Sequence, residues 1–454
     1  MEDATADVLV LGAGAAGLAA AQELSQLGLR VIVIEARDRV GGRIFTQDVP
    51  GHPLPIELGA EFIHGRPPES FALVEQAGLL VYEINGDRWL AQGRQLAPSD
   101  ALWKQTNQLL TQMASAGDTD RSFQTFLTAF QGDPAWRDAA AMAASYVEGF
   151  DAADISTVSV QALLHEQRAA AASDGDRAFR IADGYGRLVA ALSANCDSSR
   201  VSIHRGTLAR RVIWQRGHVE IQTEGVGVPG SRSFTARRAV ITLPLGVLQA
   251  PMDARGSVQF LPTLAEHADA ARQLAMGQVV KVTLRFRERF WEHDRLPLAT
   301  ESMDPRQVSY VYRRGAALPA WWTAYPAIAP QLTGWAGGPP AARLVNQPEH
   351  VIVDHALDAL ADVLGLPRSR IEGALVGSHT HNWHADPFAR GAYSYVTVRG
   401  MDAVRALAAP VEDTLFFAGE ATNTDGHTGT VHGAIATGRR AAREILLMCV
   451  TTTQ

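Results

Sequence analysis

Short apolar runs and one glycine-rich turn alternate along the first 43 residues of the chain. Asp7–Leu11 is an apolar, β-branched run that predicts a buried strand, and Leu29–Ile34 predicts a second one. Between them lie the glycine-rich segment Gly12–Gly17 and a run of small residues that predicts a helix to about Leu27. This order of strand, turn, helix and strand indicates a βαβ unit with parallel strands.

The rest of the chain alternates between helical and strand-like patterns. From about Glu69 to Ala172 it is rich in alanine and leucine and poor in glycine, which predicts helices. Further strands are predicted at Val201–His204, Val219–Thr223, Ala239–Leu243, Val279–Phe286 and Leu415–Ala418, and further helices near Glu349–Leu364 and from about Thr430 to Leu447. Because the pattern changes several times, we expect two interleaved domains, the first from residues 1–75, 180–268 and 388–450 and the second from 76–179 and 269–387.

One long segment, residues 315–342, contains no charged side chain. Its length would suit a membrane span. It is interrupted by prolines at positions 319, 326, 330, 339 and 340, so it cannot form one continuous helix. We therefore expect buried, interrupted structure here and no membrane span.

The glycine-rich turn carries the first chemical signal. In Gly12-Ala13-Gly14-Ala15-Ala16-Gly17 the first glycine allows a tight turn, the second a close approach of a pyrophosphate, and the third close packing of helix on strand. Glu35 follows the second strand, where a carboxylate accepts hydrogen bonds from an adenosine ribose. The pattern predicts a dinucleotide site, and the alternative is an ordinary glycine-rich turn in a parallel sheet.

The residues after Glu35 distinguish FAD from NAD. Ala36 and Arg37 are followed by the Gly41-Gly42 pair and Arg43, which offer a second close backbone approach and fixed positive charge near phosphates. A nicotinamide enzyme has no need of this second segment. The alternative is that both arginines belong to a solvated surface.

Composition narrows the classes further. With 41 basic and 48 acidic residues the net charge is −7, which argues against a nucleic-acid partner and is compatible with a cationic ligand. Cys196 and Cys449 are far apart and form no metal-ligand pattern, so we expect neither a disulfide scaffold nor a metal site. No basic segment followed by an apolar stretch opens the chain, so we expect no signal peptide and a cytoplasmic protein.

Four motifs, in order, extend over nearly the whole chain. They are VLVLGAGAAGLAAA continuing to EARDRVGGR, AVITLPLGVL at 239–248, DPFARGAYSYV at 386–396, and LFFAGEATNTDGHTGTVHGA at 415–434. With them the chain resembles the flavin amine oxidase family, in the branch of polyamine and spermine oxidases and lysine-specific histone demethylases. The resemblance implies an α/β fold, with a Rossmann-like FAD-binding domain around a central parallel sheet and a discontinuous α+β substrate domain.

The resemblance also implies roles for individual residues. Lys281 would hold a water against the flavin N5 and assist the reaction with oxygen. From the residues alone, a lysine in this apolar strand needs a partner or a shifted pKa, unless it lies on the solvent face of an edge strand. The implied substrate cavity contains Tyr393 as one wall of an aromatic cage, with Trp383, Thr430 and His64. Further cofactor contacts are implied at Gly59, Ala60, Glu61, Phe62, Val212, Gly419, Glu420, Thr430 and Val431.

Two departures from the family's patterns matter. Ala392 stands where some members carry the cysteine that bonds the flavin, so we expect non-covalent FAD. Thr430 stands where monoamine oxidases carry a second cage tyrosine, so these two positions supply one cage wall. For His64, the alternatives are a group that orients the amine and a satisfied structural histidine. Glu148, Asp151 and Asp154 recur at a spacing of three, and they either guide a distal ammonium or form a solvated helix face.

The expected activity is oxidation of an amine to an imine, which is hydrolysed to an aldehyde plus an amine or ammonia, while oxygen becomes hydrogen peroxide. Polyamines are the first choice of substrate, and small or aromatic primary amines are the alternative. A flavin desaturase acting on C–C bonds and a catalytically silent flavin-binding protein are alternatives of other classes. The expected partners are the amine and oxygen, and a homodimer is compatible with the sequence.

Overall fold

The computed structural model describes residues 4–115, 117, 119–227 and 230–451, and the side chains of residue 4 and of residues 449–451 lie outside this description. The Cys449 thiol and the outermost residues of the first predicted domain therefore lie outside the described part. Cys196 is a buried, unpaired thiol in the core of that domain. Among the described residues, no helix is long and apolar enough to cross a bilayer.

In chain order, the described strands of the first half are β1 (Ala4–Thr5), β2 (Val8–Leu11), β3 (Val31–Ile34), β4 (Thr46–Gln47), β5 (Ile56–Glu57), β6 (Ile63–His64), β7 (Val81–Glu83), β8 (Asp87–Gln92), β9 (Gln95–Pro98), β10 (Ala178–Ile181), β11 (Val201–His204), β12 (Thr207–Gln215) and β13 (His218–Gly225). Those of the second half are β14 (Ser231–Ala236), β15 (Arg238–Ile241), β16 (Gln259–Leu261), β17 (Leu274–Met276), β18 (Val279–Phe286), β19 (Val308–Tyr312), β20 (Ala320–Thr323), β21 (Gln331–Gly337), β22 (Leu375–Thr380), β23 (Ser394–Val396) and β24 (Leu415–Phe417).

The α-helices in the described ranges are α1 (Ala15–Gln26), α2 (Pro68–Gln76), α3 (Asp100–Thr111), α4 (Phe123–Gln131), α5 (Arg137–Phe150), α6 (Val160–Ala171), α7 (Gly186–Ala194), α8 (Leu245–Leu248), α9 (Ala265–Arg272), α10 (Gly338–Ala342), α11 (Glu349–Leu364), α12 (Arg368–Ala374), α13 (Met401–Ala408) and α14 (Val431–Thr451). Short 3-10 turns occur at Gln112–Ser115, Phe290–Glu292 and Glu420–Thr422.

A parallel five-stranded sheet forms the centre of the first domain, in the order β11-β3-β2-β15-β24. Its strands are continuous apolar runs because both faces are covered. In β2, Val8 and Val10 face a core shared with α1 and α14, whereas Leu9 and Leu11 face a second core. That second core is shared with the sheet β1-β14-β13-β12-β16, so the predicted βαβ unit lies in the middle of a layered α/β structure.

The second domain is built on a seven-stranded sheet in the order β22-β18-β21-β20-β19-β8-β9. Helices α10, α11 and α12 cover one of its faces and share its apolar core. Helices α3 to α6 form a separate core of their own. The uncharged segment 315–342 becomes β20, β21 and α10, so it is buried and interrupted, as its prolines indicate.

The predicted helical region near residues 69–172 is wrong in one part. Residues 81–98 form β7, β8 and β9 instead. Trp89, Ala91 and Leu96 belong to the apolar core of the seven-stranded sheet and Leu90 is also buried, while Arg88 and Gln95 are exposed. Strand β7 pairs with β10, and Val81 packs against the first domain's core, so that core continues beyond residue 75.

Candidate active site

The glycine-rich turn after β2 shapes an open cradle at the start of α1. Gly12 has φ of +108°, which favours glycine, and a Cβ on Gly17 would lie 1.9 Å from the Gly12 carbonyl oxygen. Gly14 is different, since no atom lies within 4 Å of the position of its absent Cβ. Helix α1 then begins at Ala15 without a side-chain cap, so the first-turn N–H groups of Ala15, Ala16 and Gly17 are available to an anion.

Glu35 fixes the other end of the predicted cofactor site. Its side chain is buried, and its two oxygens accept hydrogen bonds from the N–H groups of Ala13 and Arg37, each at 2.8 Å. Burial raises the pKa of this carboxyl, while these hydrogen bonds and Arg37 oppose the rise. Since a carboxylate offers about four acceptor positions, Glu35 retains capacity for a ribose. It also holds the glycine turn in place through Ala13.

Both predicted phosphate-site arginines are already paired with acids. Arg37 contacts Asp386 at 2.8 Å and lies over the ring of Phe388, and Arg43 contacts Glu420 at 2.8 Å. Neither arginine belongs to a solvated surface, since their side chains are 12% and 24% exposed. They connect the region after β3 to C-terminal segments, so they also shape the site.

Glu420 ties together the elements on which the cofactor would rest. It is buried at the start of the 3-10 turn after β24 and accepts hydrogen bonds from Arg43, from the Ser394 hydroxyl at 2.6 Å and from the Gly429 N–H at 3.0 Å. Before it, Gly419 has φ of +125° and open space at the position of its absent Cβ. This second open glycine adds to the cradle that Gly14 begins.

The N-terminus of α14 faces the same region. Thr430 is its cap, because its hydroxyl accepts the N–H of Gly433 at 3.0 Å, and Val431 is the first helical residue. The positive end of this helix dipole suits a ligand that carries negative charge. The open glycines, the ribose acceptor and two helix N-termini together fit a long anionic dinucleotide such as FAD.

The turn after β5 carries four of the predicted cofactor residues. A Cβ on Gly59 would lie 1.9 Å from the Arg43 carbonyl oxygen, so the two segments touch. Ala60 packs at the edge of the first core and donates its N–H to the same carbonyl at 3.2 Å. Trp383 is buried behind this turn, where its indole donates to the Leu58 carbonyl at 2.9 Å, and its part in the substrate cavity stays a prediction.

Val212 lies in the middle of a sheet, between β13 and β16, with its side chain fully buried. Its predicted backbone contact with adenine stays a prediction. Among the described residues, no group of three or more histidine, cysteine or acidic side chains has an arrangement that would hold a metal ion.

Lys281 is a buried ammonium on an interior strand of the seven-stranded sheet. Strand β18 lies between β22 and β21, so the solvent face of an edge strand is excluded. The Nζ atom is 2.6 Å from Glu61 Oε2 and donates to the Gly59 carbonyl at 3.2 Å. The chain has two lysines, Lys104 and Lys281, among 41 basic residues, and the other 39 are arginines. Lysine differs from arginine in carrying a compact ammonium that can lose its proton, so its presence here indicates a chemical role.

Glu61 is the centre of a buried charge cluster. Its other oxygen, Oε1, accepts from Arg180 at 2.9 Å and from the Trp322 indole at 3.0 Å. Burial alone would raise the pKa of Glu61, but the charges of Lys281 and Arg180 lower it below its usual value. Glu61 was predicted as a cofactor contact, and the structure shows it as the partner that fixes the ammonium of Lys281.

Tyr393 lies just before β23, where its hydroxyl donates to the Phe150 carbonyl at 2.6 Å. A Cβ on Gly429 would approach the Tyr393 ring to 3.2 Å, so the loop before α14 packs on this tyrosine. Ala392 occupies the preceding position, and its carbonyl accepts from Arg43. The predicted cage wall is thus held from both sides.

Sequence reasoning missed most of a ring of aromatic side chains that includes Phe62 and His64. Consecutive ring centroids lie 5.0 to 6.3 Å apart around a closed circuit. Its members are Phe62, His64, Phe150, Tyr146, Trp103, Tyr312, Tyr310 and Trp322. The spacing of Tyr310 and Tyr312 in one strand is a signal that could have found one side of it.

His64 belongs to this ring and is neutral at physiological pH. Burial lowers the pKa of His64 to about 4. Its imidazole contacts the rings of Phe62 and Phe150 and has no hydrogen-bond partner within the described ranges. These contacts favour a cavity residue over a satisfied structural histidine.

The three spaced acids do not share a helical face. Helix α5 ends at Phe150 and Ala152 has φ of +49°, so the chain turns away before Asp154. Glu148 lies near Arg343 and Asp154, whereas Asp151 faces the interior beside Tyr393 and Glu166. Burial raises the pKa of Asp151 to about 7. Glu166, from α6, also has a raised pKa, because of burial and then the charge of Asp151.

The layered fold and this site define a class: a two-domain flavoprotein in which a buried lysine and a ring of aromatic side chains lie next to the turn that carries the predicted cofactor residues. The family model for flavin containing amine oxidoreductases matches residues 15–446, and the chain belongs to this family. It is therefore an FAD-dependent, amine-oxidising oxidoreductase.

Two curated relatives illustrate the branch. Polyamine oxidase 3 of Oryza sativa subsp. japonica is 28% identical, over 97% of this chain and 89% of that protein. Lysine-specific histone demethylase 1 homolog 2 of the same rice is 30% identical over 97% of this chain, but this chain spans 57% of that protein.

Solved structures share the fold. Putrescine oxidase bound to putrescine has a TM-score of 0.78 at 21% identity, covering 98% of this chain and 100% of that one. Cyclohexylamine oxidase from Brevibacterium oxydans IH-35A has a TM-score of 0.77 at 20% identity, covering 98% and 99%. These likenesses confirm the predicted α/β architecture with its central parallel sheet.

Proposed function

We propose that this amine oxidase acts on an aliphatic diamine or polyamine and passes the electrons to oxygen, which yields hydrogen peroxide. The observation that carries the proposal is the pair Asp151 and Glu166. Both side chains are partly buried, Asp151 beside Tyr393 and Glu166 beside Asp151, and neither has a hydrogen bond or ion pair to its side chain within the described chain. The names of the relatives, polyamine oxidase and putrescine oxidase, support the same substrate class.

Two unpaired interior carboxylates are costly unless a cation joins them. The second ammonium of a diamine is such a cation, and the aromatic ring around its alkyl chain excludes water. A charge-assisted hydrogen bond in such a place contributes about 1.5–3 kcal/mol. Because an ammonium favours the ionised carboxyl, its binding would lower the raised pKa of Asp151.

The other end of the substrate would lie against Tyr393. The face of an aromatic ring attracts an ammonium and also packs against the neutral amine that forms when the proton leaves. His64 is uncharged, so it does not repel the incoming cation. Its ring nitrogens can exchange a hydrogen bond with the amine at the edge of the aromatic ring.

FAD, when bound, supplies the redox chemistry by accepting a hydride, a hydrogen with its two bonding electrons, from the carbon next to the amine nitrogen. The overall reaction is RCH2NH3+ + O2 → RCH=NH2+ + H2O2, and water then converts the imine to an aldehyde and ammonia or an amine. The residues of this chain orient the amine, exclude water and place Lys281 and the N-terminus of α14 at the cofactor.

Steady-state peroxide formation with putrescine, spermidine and benzylamine tests the proposal. We expect Asp151→Asn and Glu166→Gln each to raise the KM for putrescine about 10- to 100-fold, with a much smaller effect on benzylamine. Glu148→Gln is the matched control, because Glu148 is on the same segment but lies beside Arg343 instead of Glu166.

Three outcomes are decisive. Peroxide from benzylamine alone would favour the monoamine alternative and overturn the diamine substrate. If no amine yields peroxide, oxygen is not the electron acceptor. The amines are then mixed with the enzyme without oxygen: loss of the oxidised flavin absorbance shows an enzyme with another acceptor, and unchanged absorbance shows a silent binding protein. If Asp151→Asn raises the KM for both substrates equally, Asp151 does not bind the second ammonium.

A further inference from the structure

A small cavity lies beside the charge cluster of Lys281. Its volume is about 30 Å³, enough for about two water molecules. Glu57 and Glu61 both line it, and so do Thr283 and Thr333. These two threonines are cross-strand partners on β18 and β21, and their hydroxyls are 3.0 Å apart. Thr283 is two residues from Lys281 on the same strand, so both side chains lie on one face of the sheet.

The cavity extends from the charge cluster toward solvent. Leu54, Pro55 and Tyr82 form its outer lining and are partly exposed. At the inner end is Glu61, whose Oε2 contacts Lys281 Nζ at 2.6 Å. The cavity is lined by groups that can exchange hydrogen bonds with water, so it fits an ordered water chain.

Glu57 stands between the two ends. Its oxygens accept from the Tyr185 N–H at 2.6 Å and the Thr46 hydroxyl at 2.7 Å, but no cation pairs with it in the part of the chain that the structure describes. Burial raises the pKa of Glu57 to about 7, with the charge of Lys281 lowering it and that of Glu61 raising it. Glu57 therefore gains and loses a proton near neutral pH.

Charge balance couples this proton to Lys281. Lys281 and Arg180 are two cations, and Glu61 neutralises only one of them. An ionised Glu57 balances the second, so the cluster becomes neutral when Glu57 gives up its proton. The remaining polar groups at this cavity are the Tyr82 phenol and the Gln331 amide, which contacts His52 at 2.7 Å.

We propose that this cavity is a proton path from solvent to Lys281, in which Glu57 passes a proton through water and Glu61 to Lys281 after Lys281 has given up its own proton during the reduction of oxygen. The overall reaction needs no net proton, but the proton lost by the substrate ammonium leaves on the side of the aromatic ring. The reduction of oxygen to hydrogen peroxide takes up a different proton, and it does so on the side of Lys281. Lys281 supplies that second proton and regains one from Glu57 through Glu61. Glu57 is then restored from solvent, so it does not touch the reacting atoms.

The inference rests on oxygen as the electron acceptor, which is part of the proposed function. Its test therefore uses enzyme reduced anaerobically with amine and then mixed with oxygenated buffer between pH 6 and 9. In the unmodified protein we expect the rate constant for oxidation to fall as pH rises through about 7, because the donor form of Glu57 is then lost. In Glu57→Gln we expect a profile without this limb and a rate about tenfold lower at pH 6.

A second variant tests the water path without altering Glu57. Thr283→Val with Thr333→Val keeps the volume of both side chains but removes the hydroxyls that favour water, so oxidation at pH 6 should slow several-fold. Thr223→Val is the matched control, because Thr223 is a buried strand threonine on β13, in the other domain. Unchanged pH profiles in both cavity variants would overturn the proton path.

An infrared titration of the resting protein reads the same group without catalysis. We expect the unmodified protein to lose one more protonated carboxyl than Glu57→Gln between pH 6 and 8. Equal spectra would overturn the role of Glu57 even if the enzyme makes no peroxide. Conversely, peroxide formation with an unchanged profile in Glu57→Gln would leave the proposed function intact and contradict only this inference.

Discussion

The ammonium of Lys281 donates to the Gly59 carbonyl at 3.2 Å, so an interior strand of the second domain's sheet is joined to a cofactor turn of the first domain. Glu61 holds the same ammonium from the other side at 2.6 Å. These two contacts fix the direction of a group that could otherwise rotate about four side-chain bonds. Arg180 continues to pair with Glu61 whatever stands at position 281.

Lys281→Met should therefore impair chemistry more than folding. We expect the reaction of the reduced enzyme with oxygen to slow by about 100-fold or more, the scale of removing one positioned charge, while FAD stays bound. Stopped-flow absorbance of the flavin measures this rate. Lys104→Met is the control, since Lys104 is the other lysine and lies on α3. A near-normal rate in Lys281→Met would contradict the assigned role.

Gly14→Ala should weaken the binding of FAD without disturbing the fold. No atom lies within 4 Å of the new Cβ and φ is −78°, so the apoprotein should fold with a melting temperature close to that of the parent. The methyl group occupies space that the pyrophosphate needs, so the Kd for FAD should rise at least about tenfold. Fluorescence titration of apoprotein with FAD measures it.

Gly132→Ala is a closely matched control for this substitution. Gly132 is the C-cap of α4, has φ of −77° and also has no atom within 4 Å of the absent Cβ. It lies in the helical part of the second domain, away from the turn after β2. Unchanged FAD affinity in Gly14→Ala, or an equal loss in Gly132→Ala, would refute the cradle.

The sequence predicted those strands and helices whose formation depends on neighbouring residues in the chain. The βαβ unit follows from apolar runs buried on both faces and from glycines that permit one turn, and β18 and α11 lie at their predicted bounds. The strands at residues 81–98 were missed because they depend on pairing with β19 and β10, far along the chain. Pairing of that kind leaves little trace in a short window of sequence.

The end of α5 shows why the acidic residues were misplaced. The carbonyls of Gly149 and Phe150 accept hydrogen bonds from Trp335 at 2.7 Å and Tyr393 at 2.6 Å. These side chains, which are 186 and 243 residues further along the chain, satisfy the carbonyls of the helix terminus. The helix stops there, and Asp151 turns inward toward Glu166. A spacing of three suggested one face, but tertiary contacts decide where the helix stops.

Asp151 should also make the stability of the apoprotein depend on pH. Burial raises the pKa of Asp151 from its usual 3.8 to about 7, so the folded state binds this proton more tightly than the unfolded state. The associated stability is complete below pH 4 and is lost as pH rises through about 7. Between pH 5 and 8 the free energy of unfolding of the parent should fall by about 2–3 kcal/mol more than that of Asp151→Asn.

Urea unfolding of the apoprotein at several pH values measures this difference. Asp138→Asn is the control, since Asp138 lies in the first turn of α5 but is exposed and pairs with Arg314 at 3.0 Å. It should keep the slope of the parent, because an exposed pair contributes little to stability. If Asp151→Asn also keeps that slope, the Asp151 carboxyl is not held in the interior, and the cation site proposed for the second ammonium loses its main support.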